Sequence, residues 1–329
     1  MIVLITGGSG FIGSRLAIRS RDMGHTVKVL TQVNTPAEEQ NIEKLRSRGI
    51  EVQVGAVTDR KIIGQAVKGT DVVFHLAAAQ HEANVPDRHF RDVNVEGTRN
   101  VIEASIGEGV GRFVYGSTIG VYGSALDGEI DEESPQHPDN IYGVTKAEAE
   151  KLVAEYADRI PVSTVRISET YGPGDRRLLK LFKAIDSGMF FMIGPGLNKH
   201  QLIYVDDLVD GLYLAATSGS AVNETFVLAG GEVLTTNEMA NCIASAIGKG
   251  TGRFRAPLWI FMLAATVLET VLKPLGIQPP LHRRRMDFFR KSFYFSREKS
   301  GKVLGFEPKT DFETGTRLTA EWYRANNLL

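Results

Sequence analysis

The sequence predicts an α/β fold: a doubly wound, mostly parallel sheet covered by helices on both faces, with a smaller C-terminal lobe. Three observations carry this. Short runs rich in Val, Ile and Phe recur at 3–6, 26–31, 51–55, 71–76, 112–117 and 162–167. Most are followed by a loop and a helical pattern, such as 13–23 or 94–108, and strand–helix alternation indicates parallel strands joined by crossover helices. The runs are near-continuously apolar, as strands buried on both faces are.

Each element follows from its residues. The run at 3–6 enters the fold at once; nothing before it resembles a cleavable leader. After Tyr171 the rhythm changes. Gly172-Pro-Gly-Asp175 is a turn cluster, followed by a helical stretch over 177–188 and a strand-like piece over 201–205. Asp206 and Asp207 then stand where carboxylates cap a helix N-terminus, ahead of an apolar helix over 208–217. A seventh strand is expected over 224–229. The remainder is helix and loop, which assigns 1–165 with 198–229 to the sheet domain and 166–197 with 230–329 to a second, substrate-binding lobe.

The bulk numbers exclude several classes. The 329 residues are 43% hydrophobic and 23% charged, with a formal net charge of -1, so nothing points to a nucleic-acid partner. The single cysteine, Cys242, forms no internal disulfide and reads as a small core residue of a helix, in keeping with a reducing, cytoplasmic setting. The longest apolar run, 256–268, is shorter than the ~20 residues a membrane span needs. It reads as a core helix, with the basic residues at 283–285, Arg290 and Lys291 as a solvated run; peripheral contact with a membrane surface is the alternative.

Two constellations carry chemistry. Thr6-Gly-Gly-Ser-Gly-Phe-Ile-Gly13 lies between a strand and a helix, with glycines at 7, 10 and 13. Gly7 allows the tight turn, Gly10 lets backbone approach a pyrophosphate, and Gly13 lets the helix pack against the sheet. The helix's unpaired N–H groups, from Ser9 through Phe11 and Ile12, then face the anion. The second strand ends in Thr31 and Gln32, where an acid would select NAD and a nearby Arg NADP, so the choice between NAD and NADP stays open. Val57 and the small residues at Leu76, Ala77 and Ala78 end two further strands and suit a cofactor lying close.

The second constellation is Tyr142-Gly-Val-Thr-Lys146, whose i, i+4 spacing puts phenol and ammonium on one helix face. A free phenol has a pKa near ~10; a nearby cation lowers it and fits Tyr142 to exchange a proton with a substrate hydroxyl. Ser117 or Thr118, at the end of the fifth strand, would steady the substrate oxygen.

These residues resemble the extended short-chain dehydrogenase/reductases, the NAD-dependent epimerase/dehydratase family. Besides the two constellations, the likeness includes His75-Leu-Ala-Ala78, Asn94-Val-Glu-Gly-Thr98, residues 117–123, Tyr171-Gly-Pro-Gly-Asp175, Tyr204-Val-Asp-Asp207 and Leu304-Gly-Phe-Glu-Pro308. The resemblance implies a Rossmann-type sheet and commonly a homodimer joined through two helices of the first lobe. It implies Thr118, Tyr142 and Lys146 as the catalytic set, with Lys146 also holding the nicotinamide ribose and Ser117 lending backbone near the nicotinamide. Asn94, at the start of its helix, would order the cofactor's surroundings.

The departures from the family pattern bear on the reaction. Family 4,6-dehydratases carry an Asp-Glu pair after the catalytic Thr; here Ile119 and Gly120 stand there, which disfavours elimination. Sugar-nucleotide epimerases often place an Asn where this chain has Glu169, which would repel a diphosphate. Arg284, followed by Asp287, looks like the family's diphosphate-binding pair. The apolar stretch at 258–265 instead resembles members acting on hydrophobic alcohols, the 3β-hydroxysteroid dehydrogenase and dihydroflavonol reductase type. A non-catalytic dinucleotide sensor is a third class. The first expectation is a sugar-nucleotide epimerase-like enzyme with a small-molecule substrate.

Overall fold

The computed structural model describes residues 1–80, 85–123, 128–252, 254–272 and 286–329. Seven strands form the central sheet: β1 (Ile2–Thr6), β2 (Thr26–Thr31), β3 (Glu51–Val54), β4 (Val72–His75), β5 (Arg112–Thr118), β6 (Val162–Ile167) and β7 (Glu224–Leu228). Their order is β7-β6-β5-β4-β1-β2-β3, and every neighbouring pair is parallel. The strand order reverses between β1 and β4, which opens a crevice at the carboxyl ends of those strands. All seven expected strands are present, in a Rossmann-like arrangement.

The alternation along β1 shows why the sheet is covered twice. Val3 and Ile5 point into a core with Leu16 and Ala17 of α1 (Phe11–Asp22) and with Leu208 and Leu212 of a later helix. Leu4 points the other way, to Val101 and Ile102 of α2 (Gly97–Gly107) and Leu152 and Val153 of α3 (Ile141–Glu155). Side chains alternate across a strand, so a strand apolar at every position needs cover on both faces. A third core, including Phe182, Met239, Ile243, Phe312 and Tyr323, builds the C-terminal lobe.

Three local expectations are corrected. The stretch expected as one helix from Asn94 begins earlier, with a helical turn at Asp87–Arg91, and widens into a π-helical segment at Asp92–Glu96 before α2. Asn94 therefore sits in the wide turn, where its side chain reaches sideways. Asp206 and Asp207 lie in the first turn of α4 (Val205–Thr217) but do not cap it by hydrogen bonds. Asp206 instead accepts from Arg15 of α1 at 2.7 Å, and Asp207 from the Thr310 amide at 2.9 Å, so these acids tie elements together. Helix α5 (Leu258–Leu272) is not a core helix: only Ala265 and Glu269 of it are buried. No helix among the described residues is long and apolar enough to cross a membrane. Cys242 is half-buried against the third core, as expected of a packing residue.

A close backbone approach lies at the start of α1. A Cβ on Gly13 would fall 2.3 Å from the Gly7 carbonyl oxygen and 2.8 Å from the Gly8 Cα, and neither backbone atom can swing away. Gly13→Ala is therefore expected to cost about 1–3 kcal/mol in urea unfolding. Gly107→Ala, whose added methyl meets nothing within 4 Å on helix α2, is expected to be neutral or stabilising by up to about 1 kcal/mol. Equal midpoints for the two variants would contradict this packing.

Candidate active site

The loop after β1 forms the floor of the crevice. Gly7 adopts φ +71°, and a side chain there would strike the Ala77 amide nitrogen at 2.8 Å, so the loop can lie flat across the end of β4. Gly10 precedes the first turn of α1 with no side-chain cap, and no acid stands in that turn. The first N–H groups of α1 are thus left for an anion. A Cβ on Gly10 would meet only the loop's own Gly7 oxygen, at 3.3 Å.

Ser9 and Thr31, both expected at the dinucleotide, bond first to each other. Their hydroxyls are 2.6 Å apart, Ser9 also donates to the Gln32 carbonyl at 3.2 Å, and Asn41 donates to the Ser9 carbonyl at 2.8 Å. They pin the Gly-rich loop to the end of β2. Gln32 and Val57 line a cavity of about 470 Å³ together with Ala56, Arg88, Glu96 and Asn100. Arg88 is a cation that the strand-end pattern could not reveal, because it arrives from the helical turn at Asp87–Arg91.

Beneath Leu76, Ala77 and Ala78 lies a buried polar chain. The His75 imidazole bridges Thr6 at 2.7 Å and Thr98 at 2.9 Å. Burial, with the charge of Lys146 second, pushes its pKa down to about 3, so it is a neutral spacer. Asn94 accepts from the Ala79 amide at 2.8 Å and donates to the Ala79 carbonyl and the Thr145 hydroxyl at 3.0 and 2.9 Å. It couples the strand end to α3, an ordering role.

Helix α3 carries Tyr142 and Lys146, the residues expected to be catalytic. Asn140 caps it by accepting from the Gly143 amide at 3.1 Å. A Cβ on Gly143 would lie 2.5 Å from the Gly120 carbonyl, so this glycine lets α3 press onto the turn that follows β5. That contact brings Tyr142 near Thr118, whose hydroxyl accepts from the Gly120 amide at 3.1 Å and acts on the phenol. Tyr142, Lys146 and Glu150 follow at i, i+4 and i+8 on one face. Lys146 is 1% exposed, its ammonium 4.1 Å from the centre of the Tyr115 ring.

Glu150 and Arg166 form a buried ion pair beside this face that the motif reading missed. Arg166 donates to Glu150 through Nη2 at 2.8 Å and Nε at 3.1 Å, and also to the Tyr122 hydroxyl at 2.8 Å. Gln136 donates to Glu150 Oε2 at 2.7 Å, the oxygen that Arg166 Nη2 also reaches, and the Ser117 hydroxyl donates to Oε1. Ser117 is thereby committed, which leaves Thr118 as the hydroxyl facing Tyr142. The sequence did hold a signal: an acid one further turn along the Tyr-x-x-x-Lys face, and an arginine inside an otherwise uncharged buried strand.

The titration directions correct one expectation. Burial pushes Tyr142 up to about 12, opposed by the nearby Thr118 hydroxyl and then by the charge of Arg177. Burial pushes Lys146 down to about 7, opposed by Glu150. The cation acting on the phenol is Arg177, from the turn after Tyr171-Gly-Pro-Gly-Asp175, rather than Lys146. Glu169 is exposed beyond the end of β6 and bonds to none of Thr118, Tyr142 or Lys146 among the described residues. Burial holds His200 below the usual imidazole range, and the Glu169 carboxylate opposes that. Arg284 lies outside the described residues.

The fold and the site together define an α/β dinucleotide-fold protein with a Thr/Tyr/Lys cluster beside its Gly-rich loop. Residues 3–229 match the NAD dependent epimerase/dehydratase family, and the chain belongs to that family. It is 28% identical to a dTDP-glucose 4,6-dehydratase of Streptomyces antibioticus, over 99% of this chain and 93% of that protein. It is 28% identical to the N-acetyl-alpha-D-glucosaminyl-diphospho-ditrans,octacis-undecaprenol 4-epimerase of Escherichia coli O157:H7, over 83% and 81%. Among solved structures, MoeE5 in complex with UDP-glucose and NAD superposes with a TM-score of 0.75 at 25% identity, covering 99% of this chain and all of that one.

The depressed Lys146 value makes a stability prediction. Between about 7 and the ordinary 10.5 the unfolded chain holds a proton on Lys146 that the folded chain lacks. Folded stability therefore rises with pH across that window, and the penalty is fully present below it. Lys146→Met is expected to melt about 2–4 °C above the unsubstituted protein at pH near 6.5, the gain shrinking toward pH 10, by scanning calorimetry. Glu150→Gln is expected to cost about 3–5 kcal/mol, because it strands Arg166 in the core. An unchanged melting temperature for both contradicts this electrostatic account.

Proposed function

We propose that this protein moves a hydride at a secondary alcohol or ketone carbon with the help of a nicotinamide dinucleotide, and that it does so as an epimerase acting on a sugar nucleotide. The observation that carries the reading is the placing of Tyr142 near Thr118, beside the buried Lys146 on the same helix face. The donor set fits the cofactor: an uncapped helix N-terminus at Gly10, Phe11 and Ile12 for the diphosphate, and the cavity at Gln32 and Val57 for the adenosine. Leu76, Ala77, Ala78 and Ser117 would border the nicotinamide, and Lys146 its ribose. When bound, the nicotinamide supplies the hydride acceptor and donor. The residues do the rest: Thr118 hydrogen-bonds the substrate oxygen, and Tyr142 takes the hydroxyl proton as the carbon is oxidised and returns it on reduction.

Epimerisation is preferred to elimination because loss of water needs an acid–base pair beside Thr118, where Ile119 and Gly120 stand. The dehydratase relative makes elimination the rival to test. A second reading keeps the chemistry and changes the substrate to a hydrophobic alcohol; the exposed apolar face of α5 favours it. A polyprenol-linked sugar diphosphate, as in the name of the E. coli relative, would suit both features. A non-catalytic sensor has no use for the Thr118–Tyr142 pair. A homodimer is the proposed assembly.

Tyr142→Phe is expected to keep the dinucleotide, assayed by fluorescence titration, and to lose about 10²–10⁴-fold in turnover. The unsubstituted protein is expected to interconvert epimers of a sugar nucleotide with no net reduced cofactor. Full activity of the variant removes Tyr142 from its role. A deoxy-keto sugar product establishes elimination, and stoichiometric cofactor reduction by a hydrophobic secondary alcohol establishes the second reading.

A further inference from the structure

The turn that leads from β6 into the second lobe is held firmly against the Gly-rich loop's helix. Asp175 is 2% exposed, and its carboxylate accepts from the Arg177 amide at 2.9 Å and the Leu178 amide at 3.2 Å. Its carbonyl accepts from the Tyr323 hydroxyl at 2.7 Å, which anchors the turn to α6 (Phe312–Ala325) of the second lobe. Within the turn Gly174 adopts φ +107°, and a Cβ there would lie 3.1 Å from Cδ2 of Phe11. Glycine thus lets the turn close on the Phe11 ring. Phe11 is the first residue of α1, whose open N–H groups are the proposed seat of the dinucleotide's diphosphate.

Three fixed points place the Arg177 guanidinium. Asp175 holds its backbone, three residues from the glycine that touches Phe11. Its Nη2 donates at 2.6 Å to the carbonyl of Thr170, just beyond the end of β6. Its charge is felt at the Tyr142 phenol. All three lie at the carboxyl end of the sheet, so the guanidinium stands at the mouth of the crevice. The side chain is 54% exposed, with Nε 3.6 Å from Asp175, and Nη1 has no hydrogen-bond partner among the described residues.

Charge balance gives this cation a purpose. A diphosphate carries more negative charge than the partial charge of a helix N-terminus offsets. Arg15, the first cation of α1, is taken by Asp206 at 2.7 Å. Arg177 offers a planar donor set suited to phosphate oxygens, on a turn already packed against α1. We propose that Arg177 is a diphosphate-binding residue contributed by the second lobe, and that it contacts the phosphates of the dinucleotide held at the start of α1. The proposal rests on the dinucleotide reading given above. It makes cofactor affinity depend on the second lobe as well as on the Gly-rich loop.

The test is a fluorescence titration with NADH and NADPH, the tighter of the two serving as probe, repeated from low to high salt. Arg177→Gln is expected to weaken the probe about tenfold or more, as loss of a charge-assisted contact does. Its remaining affinity is expected to depend less on salt than that of the unsubstituted protein, because a half-exposed ion contact is screened. Arg177→Lys, which keeps the charge, is expected to recover most of the affinity. Unchanged affinity in Arg177→Gln overturns the proposal. So does weaker binding with an unaltered salt dependence, which marks a merely structural role. UDP is titrated alongside: a variant that loses UDP and keeps the dinucleotide assigns Arg177 to the substrate's diphosphate and overturns the proposal too. If Arg177→Gln fails to fold, the salt series on the unsubstituted protein decides, and affinity indifferent to salt overturns it. An unsubstituted protein that binds neither dinucleotide removes the dinucleotide reading itself, which separates that failure from this one.

Discussion

The arrangement of the site depends on one buried carboxylate. Glu150 receives Arg166 through two guanidinium nitrogens, Gln136 on Oε2 and the Ser117 hydroxyl on Oε1. An ion pair this buried contributes little net stability, because desolvation offsets most of the attraction. What it supplies is position. It fixes α3 to the ends of β5 and β6, and it opposes the burial that would strip Lys146 of its proton. Through Arg166 the same network reaches the Tyr122 hydroxyl and the Glu132 carbonyl, both at 2.8 Å, and Glu132 in turn accepts from the Val227 amide of β7 at 2.7 Å. One side chain thus registers three strands against the helix that carries Tyr142.

The second constraint is steric. Gly13 and Gly143 are two places where backbone presses on backbone beside the site: α1 onto its own loop, and α3 onto the turn after β5. The first leaves an open helix N-terminus in the crevice, and the second holds the start of α3, with Tyr142, against the turn that follows Thr118. The Gly-rich loop and the Thr118/Tyr142 pair therefore share one end of the sheet, near the point where strand order reverses, as the proposed function requires.

Most of this was legible in the sequence for a physical reason. Strands buried on both faces must be apolar at every position, so Val3, Ile5 and Leu4 announced β1 without any alignment. The Gly-rich loop and the Tyr142/Lys146 spacing reflect local geometry that only certain residues allow. What stayed hidden depends on tertiary partners. Asp206 looked like a cap because its neighbours in sequence were a helix; its actual partner, Arg15, is 191 residues away. Burial, which depends on tertiary packing, raises the Tyr142 phenol where a nearby cation was expected to lower it. The apolar stretch of α5 reads as core by composition, and only coordinates reveal which way it faces.

The central claim is that Tyr142 and Thr118 serve hydride transfer at the substrate carbon itself. A single turnover in ordinary water, with a sugar nucleotide carrying deuterium at the reacting carbon, tests it most directly. The account predicts that the epimer keeps the deuterium at that carbon, because hydride leaves and returns within one site and only the hydroxyl proton exchanges. Loss of the deuterium to solvent would show that the carbon is deprotonated instead, and would contradict the assignment.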